Sequence, residues 1–204
     1  MTEKFLEKVY GLNTVEETVD HYNRWAASYD AEIAENNYAT PGRIADALWS
    51  VLPDASAPLL DFGCGTGLSG IALRRVGYEV VDGVDPSQEM LNVARSKGAH
   101  RNLTQIDPDS STPFKSGVYK AVVACGVLGT GAAPASVFGH LMHGLNRGDL
   151  LAFSLNDHAL ADPSYIGAMN EWLDCGAARL LFKENGPHLP GLDLNADVYV
   201  IEKV

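Results

Sequence analysis

The chain has 204 residues, 46% of them hydrophobic and 20% charged, which suits one globular domain with its own core and excludes a disordered, collagen-like or coiled-coil chain. Fifteen Lys and Arg stand against 26 Asp and Glu, a formal net charge of −11. Four basic and ten acidic side chains fall in residues 1–57, and eleven and sixteen in the remainder. Neither part therefore offers the basic face that a nucleic acid or an anionic membrane surface would need. The three cysteines, Cys64, Cys125 and Cys175, are widely spaced with no C-x-x-C pair. Neither a disulfide framework nor a structural metal site is expected. Residues 1–10 alternate in charge without the pattern of a secretory leader, and no apolar run is long enough to span a bilayer. A cytoplasmic protein is the expectation.

In chain order, residues 14–35 and 41–51 carry helical patterning. Thr14 or Asn13 could cap the first, and Thr40-Pro41 suits the start of the second. The stretch Leu52-Pro53-Asp54-Ala55-Ser56-Ala57-Pro58 interrupts, and strands then alternate with helices. The predicted strands are 59–62, 79–84, 102–106, 119–125 and 149–155. Helices are expected over 68–76, 87–97, 134–145 and 164–175. Two final strands, about 179–184 and 197–202, are joined by a Gly/Pro loop with no room for a crossover helix. The last strand must then run antiparallel to its neighbour, in an otherwise parallel α/β sheet.

The densest signal is Leu59-Leu60-Asp61-Phe62-Gly63-Cys64-Gly65-Thr66-Gly67. Alternating glycines directly after a strand let the backbone turn tightly and approach a ligand closely. Asp61, at the strand end, could accept from the ammonium of an amino-acid ligand. Asp85 ends the next strand, twenty residues after Gly65, where an acid can accept from two ribose hydroxyls. The string Gly65-Thr66-Gly67-Leu68-Ser69-Gly70 also fits G-x-G-x-x-G, the dinucleotide pattern. That register would put Gly63 inside the strand, where glycine weakens pairing, and Asp61 mid-strand against a helix-covered core. A turn beginning at Gly63 avoids both, so a nicotinamide oxidoreductase stands as a distant alternative.

Asp61 with Gly63, Gly65 and Gly67, followed by Val84-Asp85-Pro86-Ser87-Gln88-Glu89-Met90-Leu91, resembles the class I S-adenosylmethionine-dependent methyltransferases. Tyr22-Asn23-Arg24-Trp25-Ala26-Ala27-Ser28-Tyr29-Asp30 and the Gly126-Val127-Leu128-Gly129 loop are similar to small-molecule-type members, most of all the Williams–Beuren-region methyltransferase-like proteins. The resemblance implies a seven-stranded sheet of order 3-2-1-4-5-7-6. It also implies a core over residues 58–204 and an amino-terminal helical lid over 1–57. Cofactor contacts would come from Asp61, Gly63, Cys64, Gly65, Gly67, Asp85, Pro86, Met90, Asp107, Cys125 and Tyr29. Asp107 sits where the family often places a carboxylate near adenine. The following residue, which in many members gives its N–H to the ring, is here Pro108 and has none.

Such a site needs only to align a nucleophile and exclude water, with a base where the acceptor is protonated. Candidate bases are Asp157 and His158 after the fifth strand and Tyr29 from the lid, with His143 less well placed. The [DN]-P-P-[YFW] tetrapeptide is missing after strand four, which argues against nucleobase-amine and glutamine acceptors. A small molecule is the expected acceptor, a protein the second choice, and the monomer or homodimer state is left open. The different-class rival is a module that binds S-adenosylmethionine without turnover.

Overall fold

The computed structural model describes residues 5–12 and 14–204. A 3-10 turn over Leu6–Gly11 precedes α1 (Val15–Trp25), α2 (Tyr29–Glu35) and α3 (Thr40–Val51). The sheet then begins: β1 (Leu59–Phe62), α4 (Leu68–Val76), β2 (Val81–Asp85), α5 (Gln88–Lys97), β3 (Leu103–Gln105) and β4 (Ala121–Ala124). After these come α6 (Ser136–Gly144), β5 (Leu150–Asn156), α7 (Asp157–Ala161), α8 (Pro163–Asp174), β6 (Ala178–Leu189) and β7 (Leu194–Lys203). The strands form one sheet in the order β3-β2-β1-β4-β5-β7-β6. Five are parallel, and β7 is antiparallel to both β5 and β6. No helix among the described residues is long and apolar enough to cross a membrane.

Successive side chains of a strand face opposite ways, and the core divides accordingly. Leu60, Phe62, Val122 and Phe153 pack with Phe138 and Leu141 of α6 on one face. Leu59, Val81 and Val123 pack with Ile44 and Leu48 of α3 and Leu73 of α4 on the other. Both faces of β1 and β4 are buried throughout, as parallel strands covered by helices on either side must be. A third cluster joins Leu6, Val9, Trp25 and Ile33 from the amino-terminal segments to Met90 of α5 and Leu189 of β6. This cluster seats α1 and α2 over the carboxyl ends of the strands.

Three local expectations are revised. The helix expected over 14–35 breaks after Trp25, where Ser28 N–H bonds back to Trp25 O at 2.9 Å, and the redirected chain sets Tyr29 edge-on against Trp25, centroids 4.6 Å apart. Thr14 does cap α1, in a capping box with Glu17; Asn13, the other candidate, lies outside the described residues, as do residues 1–4. Thr40 lies inside α3 rather than capping it, because its hydroxyl is engaged with His188 Nδ1 at 2.8 Å. The expected Gly/Pro loop between the last strands is mostly strand: β6 runs to Leu189 and a three-residue 3-10 turn leads into β7. Pro187 is accommodated because β6 is an edge strand and its register shifts between Pro187 and Leu189.

Candidate functional site

β1 ends at Phe62, and the chain turns through Gly63 to Gly67 into α4. At Gly63 φ is +66°, and a Cβ there would stand 2.5 Å from Val127 Cγ2, so a side chain is excluded twice over. Gly65 has φ +52° and open space where a Cβ would be, leaving its backbone bare. The Asp85 carboxylate lies under this turn. One oxygen accepts from Gly65 N–H at 2.8 Å and the other from Ser87 N–H at 2.8 Å. Burial pushes its pKa up to about 6, against the pull of those two N–H groups and with a further push from the Asp61 charge. Ser87 caps α5, its Oγ accepting from Met90 N–H at 3.1 Å and donating to Asn23 Oδ1 of α1 at 2.7 Å.

These residues border a cavity of about 930 Å³. Gly63, Gly65, Asp85, Pro86 and Met90 form one wall, Ile106 and Pro108 a second, and Cys125, Gly126 and Val127 a third. Val15, Tyr22 and Tyr29 close it from the amino-terminal helices. Among the described lining residues Asp85 is the one carboxylate or cation. A second cavity of about 580 Å³ adjoins it, sharing Tyr22, Tyr29, Gly126 and Ala132. A third, about 290 Å³, lies between the glycine turn and α3, bordered by Cys64, Thr66, Ser69 and Tyr38. The amino-terminal helices are pinned over these spaces. Thr66 Oγ1 donates to Asp30 Oδ1 at 2.6 Å, and Lys97 pairs with the same carboxylate.

Of the residues singled out from the sequence, Gly63, Gly65, Asp85, Pro86, Met90, Cys125 and Tyr29 line the large cavity. The others are placed differently. Cys64 borders the third cavity instead. Gly67 is the N-cap residue of α4 and lines none of the three. Asp61 is completely buried; Oδ2 accepts from Ser69 Oγ at 2.7 Å and meets His100 Nε2 at 2.8 Å, while Oδ1 has no partner. It shares the β1 face of Leu59, which packs beneath α3 and α4, and so is withdrawn from the cavity walls. Asp107 is exposed and turns its carboxylate back to Asp109 N–H at 3.0 Å, an Asx turn, leaving Ile106 and Pro108 on the wall. Asp157 is spent on Asn195 N–H at 2.8 Å, and His158 is exposed. Neither reaches a cavity, because Asn156 caps α7 and starts a helix at once. His143 is exposed and edge-on to Trp172.

Three cavity-lining residues carried no sequence signal. Ser154 and Asn156, at the end of β5, and His188, near the end of β6, border the 580 Å³ cavity. His188 lies in a Pro/Gly-rich run that reads as loop, and only the β6–β7 hairpin brings it under α3. The thiols are not activated: burial pushes Cys125 up to about 12 and Cys64 well above the ordinary thiol range. Among the described residues no group of three or more His, Cys, Asp or Glu could hold a metal ion.

A parallel sheet with an antiparallel β7, a glycine turn after β1 and an acid ending β2 at the cavity together define a class I S-adenosylmethionine-dependent methyltransferase. Residues 59–148 match the family model described as a methyltransferase domain. Methyltransferase-like protein 27 of Homo sapiens is 30% identical over 168 residues, spanning 81% of this chain and 68% of that protein. The chain belongs to this family. Magnesium protoporphyrin IX methyltransferase from Synechocystis PCC 6803, solved with bound S-adenosylmethionine, superposes with TM-score 0.59 at 16% identity, over 98% of this chain and 90% of that one. The [4+2]-cyclase SpnF gives TM-score 0.60 at 17% identity, over 79% and 81%. At such identities the two structures speak for the fold alone.

The residues present fit S-adenosylmethionine. Asp85 offers an acceptor for ribose hydroxyls, the bare Gly65 backbone admits a ligand, and Met90, Ile106, Pro108 and Val137 supply apolar surface for a flat base. Asp61, withdrawn beneath the turn, adds nothing to this lining.

Proposed function

We propose that this methyltransferase acts on a small molecule held in the 580 Å³ cavity, with S-adenosylmethionine in the larger one beside it. The carrying observation is the shared wall of Tyr22, Tyr29, Gly126 and Ala132, by which two cavities adjoin beneath the amino-terminal helices. When bound, S-adenosylmethionine supplies a methyl group that is electrophilic already, and S-adenosylhomocysteine remains after transfer. Asp85 holds the ribose, and the Gly63–Gly65 backbone faces the amino-acid portion. Pro86, Met90, Ile106 and Pro108 flank the adenine. Residues 1–57 serve as a lid on the 58–204 core, excluding water through Tyr22 and Tyr29. Its closure is held by Asn23 on Ser87 and by Asp30 on Thr66 and Lys97. Three free thiols suit a reducing cytoplasm.

The test is calorimetric titration with S-adenosylmethionine, S-adenosylhomocysteine and NAD, followed by S-adenosylhomocysteine detection across small-molecule and protein acceptors. Binding of the first two with turnover on small molecules supports the proposal. Turnover on proteins alone overturns the acceptor class, and binding without any turnover favours a regulatory module.

A further inference from the structure

The 580 Å³ cavity has a distinctive chemistry. Its walls carry four aromatic rings, Tyr22, Trp25, Tyr29 and Tyr38. Aliphatic surface comes from Leu6, Ile33, Leu128 and Leu189. Among the described lining residues there is no Asp, Glu, Lys or Arg. A charged acceptor entering it would lose hydration with no opposite charge among the described lining residues to meet. Flat apolar rings are matched instead. The polar atoms are few. Ser154 Oγ accepts from Gly126 N–H at 2.9 Å, which leaves its own hydroxyl hydrogen to donate. Asn156 spends Oδ1 on the cap of α7.

The wall also carries Thr130 and the phenols Tyr22, Tyr29 and Tyr38, and His188 is its one imidazole among the described residues. Its ring is set by three contacts: Nδ1 against Thr40 Oγ1 at 2.8 Å, Tyr38 edge-on with centroids 5.2 Å apart, and its own carbonyl accepting Ala39 N–H at 3.0 Å. With Nδ1 taken, Nε2 is the nitrogen left for the cavity. Burial, helped by the charge of Arg43 and by His158 and opposed by Asp157, lowers its pKa to about 4. The ring is thus a neutral proton acceptor throughout the physiological range.

Resting on the two-site reading above, we infer that this cavity is built for an uncharged, flat aromatic molecule bearing a hydroxyl group, and that His188 Nε2 accepts that hydroxyl's hydrogen bond and then its proton. The assignment puts the ring proton on Nδ1, donated to Thr40. The acceptor oxygen would form its new bond to the methyl carbon with a lone pair of its own as the carbon–sulfur bond of the bound sulfonium breaks, its electron pair staying on sulfur and S-adenosylhomocysteine being the leaving group. The O–H bond breaks heterolytically, its proton passing to Nε2 and afterwards to water. No oxidant, reductant or metal enters the balance. His188 is a catalytic residue in this scheme, and Thr40 is a positioning residue acting through it.

The test is calorimetric titration of the protein, alone and saturated with S-adenosylhomocysteine, with three probes: 2-naphthol, 2-methoxynaphthalene and 6-hydroxy-2-naphthoate. 2-Naphthol is expected to bind at least about tenfold tighter than either of the others, because a site that hydrogen-bonds a hydroxyl rejects the analogue lacking it. In His188→Leu the preference for the alcohol over the ether falls to about twofold or less while the ether's own affinity holds. A purely packing role would instead weaken both alike. Thr40→Val, which leaves the cavity wall intact, reduces the same preference and serves if His188→Leu does not fold. Methyl transfer to 2-naphthol drops at least about tenfold in His188→Leu. Equal affinity for alcohol and ether in the wild type overturns the role of Nε2, and tighter binding of the carboxylate overturns the uncharged class. If S-adenosylhomocysteine binds and 2-naphthol does not, the acceptor inference falls and the cofactor assignment stands. If S-adenosylhomocysteine fails to bind, it is the proposed function that fails, and the probe titrations of the protein alone still judge the cavity.

Discussion

The hydroxyl of Thr66, in the middle of the glycine turn, donates to Asp30 Oδ1 of α2 across 2.6 Å. One residue of the turn after β1 thereby holds the amino-terminal helices over the large cavity, and Lys97 of α5 braces the same carboxylate. A hydrogen bond to a charged group contributes about 1.5–3 kcal/mol, reduced here because the Asp30 side chain is 38% exposed. Thr66→Val is expected to weaken S-adenosylhomocysteine binding by about three- to tenfold. It should also raise amide hydrogen exchange over residues 15–35 in the liganded protein. Unchanged exchange there would show that the clamp contributes nothing to closure.

Under the proposed function, Asp85 gives cofactor binding a pH limit. Its pKa in the free protein is raised to about 6, whereas ribose hydroxyls donate best to the ionised carboxylate. The sign follows: affinity is full above pH 7 and falls as pH drops through about 6, by up to tenfold per unit. Titrating S-adenosylhomocysteine from pH 8 to pH 5 reads this directly. The slope should be absent in Asp85→Asn, whose affinity is low throughout. A flat wild-type profile would place the ribose elsewhere.

Thiol reactivity should separate the three cysteines. Cys175 is exposed, Cys64 is buried, and Cys125 is held high by burial while Tyr38 Oη lies 3.6 Å from its sulfur. Titrating the native protein with a disulfide reagent is expected to modify Cys175 rapidly and the other two only on unfolding. Rapid modification of Cys125 would mean that the amino-terminal helices part from the core far more often than their contacts imply.

His100 occupies space that glycines vacate. A Cβ on Gly70 would fall 2.3 Å from His100 Cε1, and one on Gly83 would fall 2.9 Å from His100 Cδ2. Gly70→Ala should destabilise the fold by about 1–3 kcal/mol through overpacking. His100→Ala should destabilise it as well, since Asp61 loses a partner. The double variant is expected to be more stable than the sum of the two single effects, a coupling read from a denaturation cycle. Simple additivity would place the strain of Gly70→Ala somewhere other than the ring.

Much of the fold is written in local chemistry. The turn from Gly63, the Ser87 cap of α5 and the Thr14–Glu17 capping box depend on neighbours a few residues apart, and their residue types are legible one by one. The antiparallel β7 followed from the absence of any crossover helix. The break after Trp25 was not legible, because residues 14–35 keep a helical pattern through it and the redirection is driven by Tyr29 meeting Trp25.

For the candidate site, sequence alone determined the glycine turn after β1 and the acid ending β2, both fixed by strand ends and short spacing. It did not determine which way Asp61 and Asp107 face, since a strand's parity says nothing of which helix covers which face, and a loop carboxylate can always close on its own backbone. Tertiary structure decided those orientations, burying Asp61 against Ser69 and His100 and exposing Asp107. It also decided the second cavity, whose walls come from residues 6 to 189. His188 lies 148 positions from Thr40, and no local pattern reports a contact made only when a hairpin folds back beneath a helix.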